Sequence, residues 1–300
     1  MKHASAIRRT VAATAVVAAL GTVSACGGDA KAGHATGTGT ATSQARNAAS
    51  TDDLTALRQV VKATGEAHSA KVEGDITMGS AASMSADGKL DWAHGLTGDM
   101  TMSHIGGAVS TAVPGSMSVR YLPDAAYADL GAAAAAQLDG KHWVKYTYAD
   151  LSKLVGAGSG SDMQQLMRND DPVHNVQLLL ASGTLHRVGT ETVRGVSATH
   201  YEGTENTADL ATAPGLTAAQ RQQLQQQLKQ AGVTSGTVDL WVDAHNLPVK
   251  VASRMQTSQG TVSSTLYYSD YGVAVSETAP PASDTADLTA LLKEAQGSSS

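Results

Sequence analysis

From Val72 to Tyr121 the apolar residues recur at every second position, and this period constrains the fold more than any other feature of the chain. Val72, Gly74, Ile76 and Met78 alternate with Lys71, Glu73, Asp75 and Thr77. Met84, Ala86, Leu90 and Trp92 alternate with Ser83, Ser85, Asp87, Lys89 and Asp91; Leu96, Gly98, Met100 and Met102 with Thr97, Asp99, Thr101 and Ser103; Met117, Val119 and Tyr121 continue the pattern. A period of two puts one face of a strand in the core and the other in water, as in antiparallel sheets with short Gly-containing turns. Lys141 to Tyr148, Leu185 to Val193, Val196 to Glu202, Gly236 to Val242, Pro248 to Gln256 and Thr261 to Tyr271 read the same way. The expectation is an α+β protein: one long antiparallel sheet of about ten strands, with helices inserted between blocks of strands. No βαβ alternation and no fixed repeat is present. Small residues on the apolar phase (Gly74, Ala86, Gly98) predict that the sheet bends there.

Helix signals are fewer. Ser50 or Thr51 caps a helix that starts with Asp52 and Asp53 at its positive end, carries Leu54, Leu57 and Val61 on one face, and fades between Gly65 and His68. Short helical turns are expected over Asp150–Leu154 and Asp162–Met167. Pro172 opens another helix, with Val176, Leu179 and Leu180 inward and Gly183 at its end. Thr217-Ala218-Ala219-Gln220 has the form of a capping box, opening a Gln-rich helix that Gly232 closes. Its narrow stripe (Leu224, Leu228, Ala231) places it on the surface. Asp287 to Ala295 reads as a short terminal helix, after which the chain frays.

The N-terminus reads as an export signal. Lys2, Arg8 and Arg9 precede an uncharged apolar run from Val11 to Leu20, too short for the roughly 20 residues a membrane span requires. Val23-Ser24-Ala25-Cys26 then has the form of a lipobox. Cys26 is the expected attachment point of an S-diacylglycerol and an N-palmitoyl chain. Residues 1–25 form the cleaved signal peptide, 26–50 a lipidated flexible tether, and 51–297 the folded domain. Arg8-Arg9 leaves both general and twin-arginine export open. The tether is Gly, Ala, Thr and Ser with almost no large apolar residue, and at about 5–6 Å × √n it spans on the order of 25–30 Å. The expected location is the extracytoplasmic face of the cell membrane, reached through the acyl anchor.

The chain has 21 Lys and Arg against 27 Asp and Glu. Removal of the signal leaves 18 against 27, a net of −9. That balance excludes nucleic acid as a natural partner and leaves the acyl chains, not surface charge, to hold the membrane. Cys26 is the only cysteine, so thiol catalysis, a redox pair and a cysteine zinc site are excluded. The ten histidines are scattered, none paired i, i+4 beside a carboxylate on a helix, as exposed or locally bonded imidazoles usually are. No nucleophile elbow, S-x-x-K or phosphate loop occurs in a fitting context. No catalytic residue, metal ligand or cofactor is assigned, and the domain is expected to be a monomer. Phe is absent. Met78, Met84, Met100, Met102 and Met117 share the apolar phase of neighbouring strands, either filling a core that lacks Phe or lining a surface that adapts to varied apolar ligands.

The C-terminal third adds a resemblance. Val238-Asp239-Leu240-Trp241-Val242-Asp243, Asn246-Leu247-Pro248-Val249-Lys250-Val251, Tyr268-Ser269-Asp270-Tyr271-Gly272 and Pro280-Pro281 resemble the LppX/LprG-type lipoproteins of actinobacteria and, more loosely, the LolA/LolB carriers. Gly189 to Gly195 followed by Thr199-His200-Tyr201-Glu202-Gly203 fits the middle hairpin of that family. The resemblance runs over roughly residues 51 to 290 and specifies fold better than function. It implies a half-barrel, a strongly curved antiparallel sheet with helices packed on its concave side, enclosing an apolar cavity for the acyl chains of a lipid, glycolipid or lipoprotein, with no catalytic residues. The expected lining is Ile76, Met78, Met84, Leu90, Met100, Met102, Met117, Val119, Val251 and Met255. Two functions remain open: lipid binding or transfer without catalysis, and a structural or interaction module with a packed interior that presents the Gln-rich helix to an envelope partner.

Overall fold

The computed structural model describes residues 50–111, 115–136, 138–150, 172–181, 184–206, 222, 233–257 and 260–291. Helix α1 (Thr51–Ala67) starts where the sequence places it. Ser50 is the N-cap: its Oγ accepts from the Asp53 N–H at 3.1 Å, while the Asp53 carboxylate accepts from the Ser50 N–H. Leu57, Val60 and Thr64 are its buried positions.

Twelve strands follow: β1 (Ser69–Met78), β2 (Ala82–Asp91), β3 (Thr97–Gly106), β4 (Ser116–Leu122), β5 (Ala125–Asp129), β6 (Trp143–Thr147), β7 (His186–Val193), β8 (Val196–Asn206), β9 (Val233–Val242), β10 (Pro248–Thr257), β11 (Gly260–Ser269) and β12 (Thr285–Asp287). Helix α2 (Gly131–Ala135) lies between β5 and β6, and α3 (Pro172–Ala181) precedes β7. All twelve strands form one open, curved sheet in the order β12-β6-β5-β4-β3-β2-β1-β11-β10-β9-β8-β7. Every pairing is antiparallel except β12 with β6. The expectation of about ten antiparallel strands is therefore corrected to twelve, among the described residues, in a mixed sheet.

Both additional strands have a physical reason for escaping the period of two. In β5 the first four residues, Ala125 to Ala128, are all buried, so no wet face alternates with a dry one. Strand β12 is made by a long connection. After β11 the chain runs extended across the outer, polar face of the sheet. Ser69 Oγ donates to Val273 O at 2.7 Å, Arg120 donates to Thr278 O at 3.3 Å, and Glu277 lies 3.8 Å from Lys89 and 4.0 Å from Arg120. Asp284 accepts from the His142 backbone N–H at 2.9 Å, and Thr285–Asp287 then joins β6. The terminal helix expected from Asp287 begins only at Leu288. The expected helices at 151–154 and 162–167 and the Gln-rich helix lie outside the described residues, as do the signal, the lipobox and the tether.

The inward side is one cluster. Leu57 and Val60 of α1 and Val176 and Leu179 of α3 pack with Val72, Leu90, Met100, Val119, Leu240, Val251 and Leu266 of the strands. Residues of both helices thus share one core with the apolar phase of the strands. Trp92, just past β2, fastens the end of α1 by donating to Thr64 O at 3.1 Å.

Candidate functional site

The strand registers place the apolar residues in rows that cross the sheet. One row runs Tyr201, Leu240, Val251, Leu266, Gly74, Ala86, Met102, Met117 over eight adjacent strands. On one side of it lies the row Val72, Gly88, Met100, Val119, Ala128, Val144. On the other side lies Gly203, Val238, Ser253, Ser264, Ile76, Met84, and beyond that the end row Glu205, Gly236, Met255, Val262, Met78, Ala82.

All ten residues expected to line a cavity belong to this one face, but the structure divides them into two groups. Leu90 (1% exposed), Val251 (2%), Val119 (3%), Met100 (5%) and Met102 (9%) are buried in the central cluster. Ile76, Met78, Met84, Met117 and Met255 are half-buried. Met84 and Met117 pack against the edge of the central cluster, and Ile76, Met78 and Met255 stand further along. A continuous apolar surface thus passes from the dry core to a rim that meets solvent. The only polar interruption in the row before the end is a pair of hydroxyls that satisfy each other, Ser253 Oγ and Ser264 Oγ at 2.8 Å. Such a surface favours the removal of hydrocarbon from water.

Glycine shapes this face. A Cβ on Gly74, Gly88 or Gly98 would run into the backbone carbonyl of Thr265, Asp99 or Lys89 of the adjacent strand. The three lie on a diagonal across β1, β2 and β3, and there the strands take a path that a side chain would block. Sequence reasoning identified Gly74 and Gly98 as bend points and missed Gly88, which falls on the same apolar phase.

The outer face carries the polar chemistry. His200 is buried (7% exposed), with Nδ1 2.9 Å from Glu191 Oε1 and Nε2 2.8 Å from Asp239 Oδ1. Its ring stacks on Trp241 at 4.1 Å between centroids. Trp241 Nε1 donates to Glu191 Oε2 at 2.9 Å, and this bond, followed by the one from His200, holds the Glu191 carboxyl below the usual range. Arg194 forks onto Glu73 at 2.8 and 2.9 Å with its guanidinium 3.7 Å above Tyr267. These groups are mutually saturated, and they fasten the edge hairpin β7–β8 to the centre of the sheet. Among the described residues no three His, Cys, Asp or Glu side chains converge as metal ligands, and no helix is long and apolar enough to cross a membrane. Cys26 lies outside the described residues.

Comparison with known proteins bears on the same features. No known family profile matches the sequence. A protein of Streptomyces coelicolor named as a candidate lipoprotein is 42% identical over 306 aligned positions, covering 97% of this chain and 98% of that one. An uncharacterized 31.2 kDa protein of Streptomyces griseus, encoded between rplA and rplJ, is 46% identical over 247 positions, 80% of this chain and 81% of that one. The chain belongs to their family. Among solved structures it is similar to LprF of Mycobacterium bovis (14% identity, TM-score 0.48, 78% of this chain and 99% of that one). It is also similar to the Mycobacterium tuberculosis lipoprotein LppX (18% identity, TM-score 0.44, 74% and 96%). A LolA superfamily protein of Nitrosomonas europaea is a more distant match (10% identity, TM-score 0.24, 75% and 94%). These are the two groups that the C-terminal motifs resemble.

Proposed function

We propose that this protein is a membrane-anchored lipoprotein that binds or transfers the acyl chains of a lipid or glycolipid without making or breaking a bond. The observation that carries the reading is the graded apolar face. Five of its side chains are buried and five are half-buried, and the row through Ile76 and Met84, next inward from Met78 and Met255, carries no charge. Each methylene removed from water along that path contributes about 0.8 kcal/mol. Met suits the role, because its unbranched thioether side chain repacks around chains of different length. A sheet bent at Gly74, Gly88 and Gly98, with the helices on its concave side, would make the hollow of a half-barrel. The family relative named as a candidate lipoprotein supports the anchor at Cys26. With residues 26–50 as a tether, the domain of residues 51–297 works as a monomer at the extracytoplasmic face of the cell membrane.

A fluorescent polyene fatty acid tests the reading. The protein is expected to bind it with a rise in emission, and Met84→Asp combined with Met255→Asp to abolish the rise while the far-UV circular dichroism stays the same. A wild-type protein that leaves the probe dark has a packed interior, which is the behaviour of a structural or interaction module.

A further inference from the structure

The outer face of the sheet holds a cleft that neither the apolar rows nor the His200 cluster uses. Between β2 and β6 the registers place Lys89, Asp99, Arg120, Tyr127 and Lys145 in one polar-phase row. Thr101, Ser118, Asp129 and Trp143 form the next. The extended segment after β11 crosses these rows and sets Glu277 beside Asp99 and Arg120. A cleft of about 270 Å³ opens there, lined by side chains of both rows and by Glu277. That volume lies just under the roughly 300 Å³ at which sites for drug-sized molecules begin, so it suits a ligand of about one ring.

The groups around the cleft select the ligand's chemistry. Arg120 stands 4.8 Å from the centre of the half-buried Trp143 ring and donates to Thr278 O at 3.3 Å, so its guanidinium is held in place. A cationic ligand would have to share the indole with that guanidinium, and an anionic one would meet the carboxyls of Asp99, Asp129 and Glu277. A neutral ligand escapes both penalties. The carboxyls also call for donors. Lys89 lies 3.6 Å from Asp99 and 3.8 Å from Glu277, beyond hydrogen-bond reach of either. Burial, then contact with Asp99, raises the Glu277 carboxyl. A ligand hydroxyl donating to this pair would relieve the contact between two acceptors. The exposed hydroxyls of Thr101 and Ser118 add partners that both donate and accept.

We propose that this cleft binds a neutral sugar ring. The C–H face of a pyranose stacks on an indole, and its vicinal hydroxyls match the paired oxygens of a carboxylate and the forked N–H groups of a guanidinium. The site lies on the polar phase of the strands, opposite the apolar rows, and stands whether or not the interior holds lipid.

The test uses the whole chain in a detergent without a sugar head, titrated with the methyl glycosides of glucose, mannose, galactose and N-acetylglucosamine. The chain has three Trp, and the other two are committed elsewhere, Trp92 to Thr64 O and Trp241 to Glu191. The expected result is a shift of the Trp143 indole N–H resonance, assigned by its loss in Trp143→Phe, with at least one glycoside at millimolar concentration. The Trp92 and Trp241 resonances should stay in place, and salt should leave the titration unchanged. Saturation transfer from protein to glycoside should vanish in Trp143→Ala and persist in Trp143→Phe. Asp99→Asn should weaken binding about tenfold with the circular dichroism unchanged, and it carries the test if Trp143→Ala does not fold. A Trp143 resonance that no glycoside moves overturns the inference. So does a shift that choline or glucose 6-phosphate produces at lower concentration than any glycoside, and so does saturation transfer that Asp99→Asn and the Trp143 variants leave unchanged. Bound lipid is read separately by native mass spectrometry, so this site and the lipid-binding function fail independently.

Discussion

Single residues hold the two faces of the sheet in different ways. On the outer face His200 ties three strands together, bridging Glu191 of β7 and Asp239 of β9 under the ring of Trp241. His200→Ala is expected to cost about 2 kcal/mol, because it removes a hydrogen bond from each of two carboxylates and opens space beside an indole. Urea unfolding measures the loss. On the inner face Gly88→Ala places a methyl against the Asp99 carbonyl, and a strand displacement costing about 2 kcal/mol should follow, measured the same way. Glu277 shows how pH acts. Burial, then contact with Asp99, raises its carboxyl above the ordinary value despite Lys89 and Arg120. The charged form is therefore the penalised one: the penalty is present at neutral pH and disappears as pH falls through the raised value. Glu277→Gln is expected to raise the melting temperature at pH 7 and to have less effect in acid, which thermal scans across pH will show.

Elements were legible in the sequence where local chemistry makes them. The Ser50–Asp53 cap and the Arg194-Gly195 turn, whose two residues have positive φ, are encoded by residues close in sequence, and both elements sit where the sequence puts them. Ser50→Ala should lower stability by about 1 kcal/mol, read by thermal denaturation. The alternating strands β1 to β4 and β9 to β11 were legible for the same reason, since each displays a wet and a dry phase. Strand β5 was hidden because Ala125 to Ala128 are buried on both faces, and β12 because only a distant crossing segment delivers it to β6. The candidate site was half legible. The apolar phase of Met78, Met84, Met100, Met102 and Met117 follows from spacing alone. Which of them are buried and which are half-buried depends on tertiary packing against that face, and no local pattern carries that.

For the whole molecule, the account joins an anchor to an apolar face. In the proposed function the lipobox would set the address, the tether would set a reach on the order of 25–30 Å, and the open sheet supplies an apolar surface. Cys26→Ala is expected to release the protein from the membrane fraction while leaving its circular dichroism unchanged; a variant that stays tightly bound would show that the anchor lies elsewhere. The central claim, that the interior holds acyl chains, is tested most directly by native mass spectrometry of the protein purified from its own host. The account predicts a mass above that of the lipidated chain, with the excess released as lipid on activation and absent from the Met84→Asp, Met255→Asp variant. A spectrum containing only the lipidated chain, in wild type and variant alike, would contradict it.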